Sequence, residues 1–120
     1  MQRKVLFVDD EKIILDVLVA LFQSHGYTPV CTTNGNQAVE IIKFEGIRVC
    51  FVDLRMPSID GMELCRQIKQ VEPLARVFAL SAYVDAYGPE KLKQAGFDGQ
   101  FTKPFKIKEL MDTVDKCFEA

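Results

Sequence analysis

Apolar runs of strand length alternate five times with helix-length segments, and Gly or Pro stands at most of the joins. That alternation is the pattern of repeated strand–helix units around a parallel sheet. The strands are expected at about 4–9, 28–33, 48–53, 76–81 and 99–103. The first, third and fourth are apolar almost throughout, as in Val49-Cys50-Phe51-Val52 and Val77-Phe78-Ala79-Leu80. Continuous apolar strands are required where helices cover both faces of a sheet.

The intervening segments carry helical signals. Ile13, Ile14, Val17, Leu18, Leu21 and Phe22 are spaced to share one face of a first helix, which Gly26 ends. Ile107, Leu110, Met111 and Val114 repeat the pattern in the last. Asn34 with Gln37, and Asp60 with Glu63, are placed as N-cap and N3 partners opening the second and third helices. In the fourth, Gly88-Pro89 interrupts the segment, so regular helix is expected only from Pro89, after a loose stretch.

A chain of 120 residues has room for one core, so one domain over 1–120 is expected. Its 48% hydrophobic and 27% charged residues exclude disordered and fibrous classes. Fifteen basic against seventeen acidic residues leave none of the positive excess that binding along a nucleic-acid backbone requires. Met1-Gln2-Arg3-Lys4 is followed by no long apolar segment, and no run approaches the roughly 20 residues of a membrane span. A cytoplasmic protein without direct nucleic-acid or membrane contact is expected. Cys31, Cys50, Cys65 and Cys117 contain no C-x-x-C pair, so zinc and redox motifs are absent, and three of them read as buried free thiols.

An open strand–helix sheet binds ligands beyond the carboxyl ends of its strands. The residues there are Asp9 and Asp10, Asp53, Ser81 and Lys103. Singly, each has a plain explanation: Asp10 as a helix cap, Asp53 as a turn residue before Met-Pro, Lys103 as a surface lysine. Together, three carboxylates within several ångströms repel by a few kcal/mol per pair at an effective dielectric of about 20, so a positive partner is needed. Mg²⁺ (or Mn²⁺) suits a carboxylate site that keeps some water, and Lys103 supplies the remaining charge. With that charge balanced, a phosphoryl group is the natural incoming ligand and one carboxylate is free to act as a nucleophile. Ser81 is placed to donate to a phosphoryl oxygen.

The stretches Val5-Leu6-Phe7-Val8-Asp9-Asp10-Glu11, Val52-Asp53-Leu54-Arg55-Met56-Pro57 with Asp60-Gly61, Leu80-Ser81-Ala82 and Lys103-Pro104-Phe105 resemble the receiver domain of two-component response regulators over the whole chain. The resemblance implies a doubly wound, flavodoxin-like α/β fold with strand order 2-1-3-4-5. It implies Asp53 as phosphoacceptor, with Asp9, Asp10, Asp53 and the Arg55 main-chain carbonyl holding the metal. It also implies Ser81 as switch hydroxyl, Lys103 on the phosphoryl group, and a cis bond before Pro104. Such a domain catalyses only its own phosphorylation and dephosphorylation. The donor would be a phosphohistidine on a histidine kinase or phosphotransfer protein. The output would be a downstream effector, a fused domain outside these residues, or a phosphorylation-dependent dimer. His25, at a helix end, is structural.

One departure is Gln100, where the family usually carries Tyr or Phe. Tyr83, or the segment from Tyr87 to Pro89, is then expected to carry the response. Arg55 and Tyr83, each two residues beyond Asp53 and Ser81, are expected to flank the acyl phosphate and slow its hydrolysis. A flavodoxin-like cofactor binder would need a Ser/Thr/Gly-rich loop where Asp9-Asp10-Glu11 stands, and a metal-dependent aspartyl phosphatase an acid where Arg55 stands. The alternative kept open is an interaction module on the same fold that works without phosphorylation.

Overall fold

A computed structural model describes residues 2–82 and 88–119. Five parallel strands, β1 (Lys4–Val8), β2 (Thr28–Thr32), β3 (Val49–Asp53), β4 (Arg76–Ser81) and β5 (Gly99–Thr102), lie in the order β2-β1-β3-β4-β5. Between and after them run α1 (Lys12–Ser24), α2 (Ala38–Glu45), α3 (Gly61–Val71), α4 (Pro89–Ala95) and α5 (Ile107–Cys117). This is the doubly wound α/β fold and strand order expected above. Among the described residues no helix is long and apolar enough to cross a membrane.

Alternate strand residues feed two cores, as the two-residue period of a strand dictates. Leu6, Val8, Cys50, Val52, Val77 and Ala79 pack under α2, α3 and α4. Val5, Phe7, Val49, Phe51, Phe78 and Leu80 face α1 and α5. On that second face a row of rings crosses the sheet, with Phe7 stacked on Phe51 at 5.3 Å and Phe51 on Phe78 at 5.1 Å. The central strands are thereby fixed from both sides, and the residues at their carboxyl ends inherit that rigidity.

Helix boundaries follow their signals with three exceptions. Gly26 ends α1 at φ +86°, and α4 begins at Pro89. Asn34 accepts from the Asn36 N–H but caps a 3-10 turn, Gly35–Gln37, ahead of α2, and Gln37 accepts from the Thr32 hydroxyl instead of reaching back. Asp60 does cap α3, accepting from the Met62 N–H at 2.8 Å, whereas Glu63 pairs with Arg66. In α1 the buried residues are Leu15, Leu18 and Phe22, while Ile13 and Val17 are exposed. The apolar stripe is wider than the face that packs. Tyr83 and Tyr87, with the stretch expected to be loose, lie outside the described residues.

His25 ends α1 with Nδ1 2.9 Å from the Leu21 carbonyl oxygen, the structural place expected of it. The four cysteines are free; Cys50 and Cys65 are buried, Cys117 is half-buried and Cys31 exposed.

Gly61 opens α3 against the end of β3. A Cβ there would stand 2.7 Å from Leu54 Cα and 2.9 Å from the Asp53 carbonyl oxygen, both of them backbone. Gly61→Ala is therefore expected to lower the unfolding free energy by about 1–3 kcal/mol despite alanine's better helix propensity. A urea denaturation midpoint equal to or above the native one would show that this approach is not limiting.

Candidate functional site

Asp9 follows β1, Asp53 ends β3, Ser81 ends β4 and Lys103 follows β5, so all four lie on the carboxyl edge of the sheet. The first two flank the point where the strand order reverses, the position at which open α/β sheets bind ligands. Register sets their heights. Asp53 pairs with Leu80, one residue before Ser81, and the Lys103 N–H donates to the Ser81 carbonyl at 2.7 Å. The ends of β4 and β5 are thus joined where the lysine leaves the sheet.

Asp9, Asp10 and Asp53 present carboxylate oxygens all within 4.8 Å of one another. Asp9 is fully buried, Asp53 nearly so, and Asp10 is exposed at the rim. Lys103 Nζ lies 2.8 Å from Asp9 Oδ2, 3.2 Å from Glu11 Oε1 and 3.5 Å from Asp53 Oδ2. The other oxygens of Asp9 and Asp53 are held by backbone: Asp9 Oδ1 accepts from the Glu11 N–H at 2.9 Å, and Asp53 Oδ1 from the Arg55 N–H at 3.1 Å. Asp53 Oδ2 is left facing the lysine.

Burial pushes the Asp53 carboxyl up to about 6; the Arg55 N–H and Lys103 pull it down, while Asp9 and Asp10 raise it further. Burial alone would lower the Lys103 ammonium, but the Asp9 and Asp53 carboxylates beside it, with Glu11, turn the shift upward. Lys103 thus stays charged while the carboxylates compete for it. Asp9 Oδ2 is enclosed, with the Lys103 ammonium 2.8 Å away beside it. An enclosed carboxylate oxygen of this kind, beside two further carboxylates, fits a hard divalent cation.

Of the other sequence-selected residues, Tyr83 lies outside the described residues. Arg55 is exposed two residues beyond Asp53, and Pro104 follows Lys103 through a cis peptide bond. Gln100 is half-buried on β5, paired with Ala79, and lines a cleft of about 540 Å³ with Pro89, Leu92 and Phe97. Glu11 received no role of its own from the sequence, because nothing in it pairs residue 11 with residue 103.

A family profile described as the response regulator receiver domain matches residues 5–115. The chain belongs to that family. Among its relatives, this receiver is 33% identical over 116 residues to sporulation initiation phosphotransferase F of Bacillus subtilis, covering 97% of this chain and 94% of that protein. Its fold superposes with a TM-score of 0.85 on the receiver domain of a sensor histidine kinase from Pseudomonas aeruginosa, solved with a magnesium ion coordinated in the active-site cleft; the two are 28% identical and 97% of each chain is covered. A receiver domain protein from Methanospirillum hungatei gives a TM-score of 0.91 at 20% identity, covering 98% of this chain and 94% of that one.

Crowded carboxylates cost stability when no cation joins them. The Asp53 carboxyl has a higher affinity for protons in the folded than in the unfolded chain, so the folded state is relatively most stable below pH about 4 and loses that advantage as pH rises through about 6. Asp53→Asn is therefore expected to be more stable than native at pH 7 in a metal chelator, by on the order of 2 kcal/mol. The gap should close below pH about 4 and shrink when Mg²⁺ is added to the native protein. A variant no more stable than native at pH 7 would contradict this reading of the cluster.

Proposed function

We propose that this receiver takes a phosphoryl group onto Asp53 from a phosphohistidine on a histidine kinase or phosphotransfer protein and so switches its protein interactions. The observation that carries the proposal is the placement of Asp53: buried, its Oδ1 held by backbone, its Oδ2 turned toward Lys103. A carboxylate so placed is a nucleophile with a preset direction. Its oxygen forms the bond to phosphorus as the phosphorus–nitrogen bond of the donor breaks. The imidazole leaves with the electron pair of that bond and takes up a proton. Lys103 balances charge on the transferring oxygens, and Ser81, on the neighbouring strand end, donates its hydroxyl to one of them.

Asp9, Asp10, Asp53 and the Arg55 main-chain carbonyl would hold Mg²⁺ or Mn²⁺, which supplies positive charge to the phosphoryl oxygens. The magnesium-bound Pseudomonas receiver supports this assignment. The phosphotransferase name of the Bacillus relative supports phosphoryl transfer as the chain's chemistry.

The donor's approach has a surface of matching character. Beside the site runs a groove of about 490 Å³ lined by Ile13, Val17, Phe105 and Ile107, with Glu11 and Lys103 at its polar end. Ile13 is 80% exposed, a large apolar side chain left in water by the fold itself. A protein carrying a phosphohistidine to Asp53 passes over this groove, and its apolar contact would add affinity without adding charge to an acidic site.

Intact-mass analysis after incubation with acetyl phosphate tests the chemistry. One phosphoryl adduct is expected, dependent on Mg²⁺ and absent from Asp53→Asn. Neither adduct nor beryllofluoride binding in the native protein would overturn the proposal. The groove has a separate test. Ile13→Ser should slow transfer from a phosphohistidine protein about tenfold, yet leave uptake from acetyl phosphate within about twofold, since residue 13 is exposed and outside the carboxylate cluster. Equal rates for native and variant with the protein donor would remove the groove from recognition.

A further inference from the structure

Glu11 stands where the backbone offers its side chain a different task. It is the N-cap residue of α1, with extended φ −91° and ψ 100°, yet its side chain makes no capping bond. A residue there usually accepts from the first free N–H groups of the helix. The Glu11 carboxylate instead reaches Lys103, 92 residues along the chain, at 3.2 Å. Its own N–H is bonded to Asp9 Oδ1, so the backbone of Glu11 is pinned to the acid that also faces Lys103.

Lys103 is therefore shared by three carboxylates that differ in burial. The side chain of Asp9 is fully enclosed and that of Asp53 only 8% exposed, whereas that of Glu11 is 58% exposed. Asp9 and Asp53 cannot turn away without rebuilding the floor of the site. Glu11 can release the ammonium to water at little cost, because its charge stays solvated. The ammonium is also nearer to Asp9 and Glu11 than to Asp53, drawn to the side of the site away from the nucleophile.

We propose that Glu11 is a positioning residue that holds Lys103 back in the resting protein and competes with the incoming phosphoryl group for it. This rests on the phosphoacceptor reading of Asp53. The competition gives Glu11 two effects of opposite sign. Its negative charge favours a divalent cation at the neighbouring acids and opposes a phosphoryl anion at Asp53. A residue that only stabilised the start of α1 would alter folding stability and move neither affinity selectively.

Native protein, Glu11→Gln and Glu11→Asp are compared by NMR titration, first with Mg²⁺ alone and then with beryllofluoride at saturating Mg²⁺. For Glu11→Gln, Mg²⁺ affinity should fall about two- to fivefold while beryllofluoride affinity rises about three- to tenfold, the sizes expected of one partly screened charge. Glu11→Asp keeps the charge on a shorter arm, so it should retain near-native Mg²⁺ affinity and still bind beryllofluoride more tightly, having lost its hold on Lys103. Equal beryllofluoride affinity in native and Glu11→Gln overturns the inference alone. A tightened Glu11→Gln beside an unchanged Glu11→Asp also overturns it, since charge without contact would then suffice. Failure of the native protein to bind beryllofluoride at all would bring down the phosphoacceptor reading, and the inference with it.

Discussion

The ammonium of Lys103 makes the carboxyl edge of this sheet possible. Three carboxylates with oxygens within 4.8 Å of each other repel by about 3–4 kcal/mol per pair at an effective dielectric of about 20. That is a sizeable part of the total stability of a small domain. Lys103 lies within 3.5 Å of two of them and of Glu11, and is brought there by the backbone bond that ties the end of β5 to Ser81. Asp9, with its side chain fully enclosed, depends on it most, because an unpaired carboxylate at that depth is costly. The charge balance is nonetheless incomplete, and the shortfall suits the cluster to a divalent cation.

Precision at the site comes from two sources. The strand ends are fixed by packing: the row of Phe rings lies against one face of the central strands and tightly packed aliphatic and thiol side chains against the other. The connections are fixed by close approach and by hydrogen bonds between loops. Gly35 N–H donates to the Ser58 hydroxyl and the Asn36 side-chain amide to the Ser58 carbonyl, so the segment after β2 braces the segment after Asp53. Gly35 is also closely approached, though by side chains and not by backbone as at Gly61: a Cβ there would stand 2.4 Å from Ile59 Cγ2. Backbone around Asp53 is thereby held on both sides, which keeps the carboxylate aimed before any ligand arrives.

The strands and the carboxyl-edge residues were legible because a parallel sheet writes them in one dimension. Strands buried on both faces are continuous apolar runs, and the polar residue that ends each run is the residue the sheet delivers to its edge. What depends on contacts distant in sequence was not legible. The apolar residues of α1 could not be sorted into core and groove until α5 and the loop before it were in place, so Ile13 and Val17 read as core while Leu15 went unselected. Gln37 and Glu63 had spacings suited to capping but found Thr32 and Arg66 instead. Glu11 belonged to a recognised motif, yet its bond to Lys103 spans the chain and is set by the lysine's position, which no local pattern encodes.

Groove and carboxylate cluster meet at the same two residues, Glu11 and Lys103, and that adjacency bears on how a phosphorylated partner is received. On the proposed function a phosphohistidine would bring its own negative charge toward a site rich in carboxylates, which Lys103 and a divalent cation would offset only at the reacting atoms. Ile13 and Val17 contribute contact energy that is indifferent to charge. A protein donor covering them would gain affinity at a distance from the reacting atoms and so could hold its phosphoryl group close to Asp53. A small phosphodonor has no such contact to draw on. On the proposed function the fold divides the labour: apolar α1 residues left in water would bind, buried strand-end acids would react, and the lysine between them belongs to both.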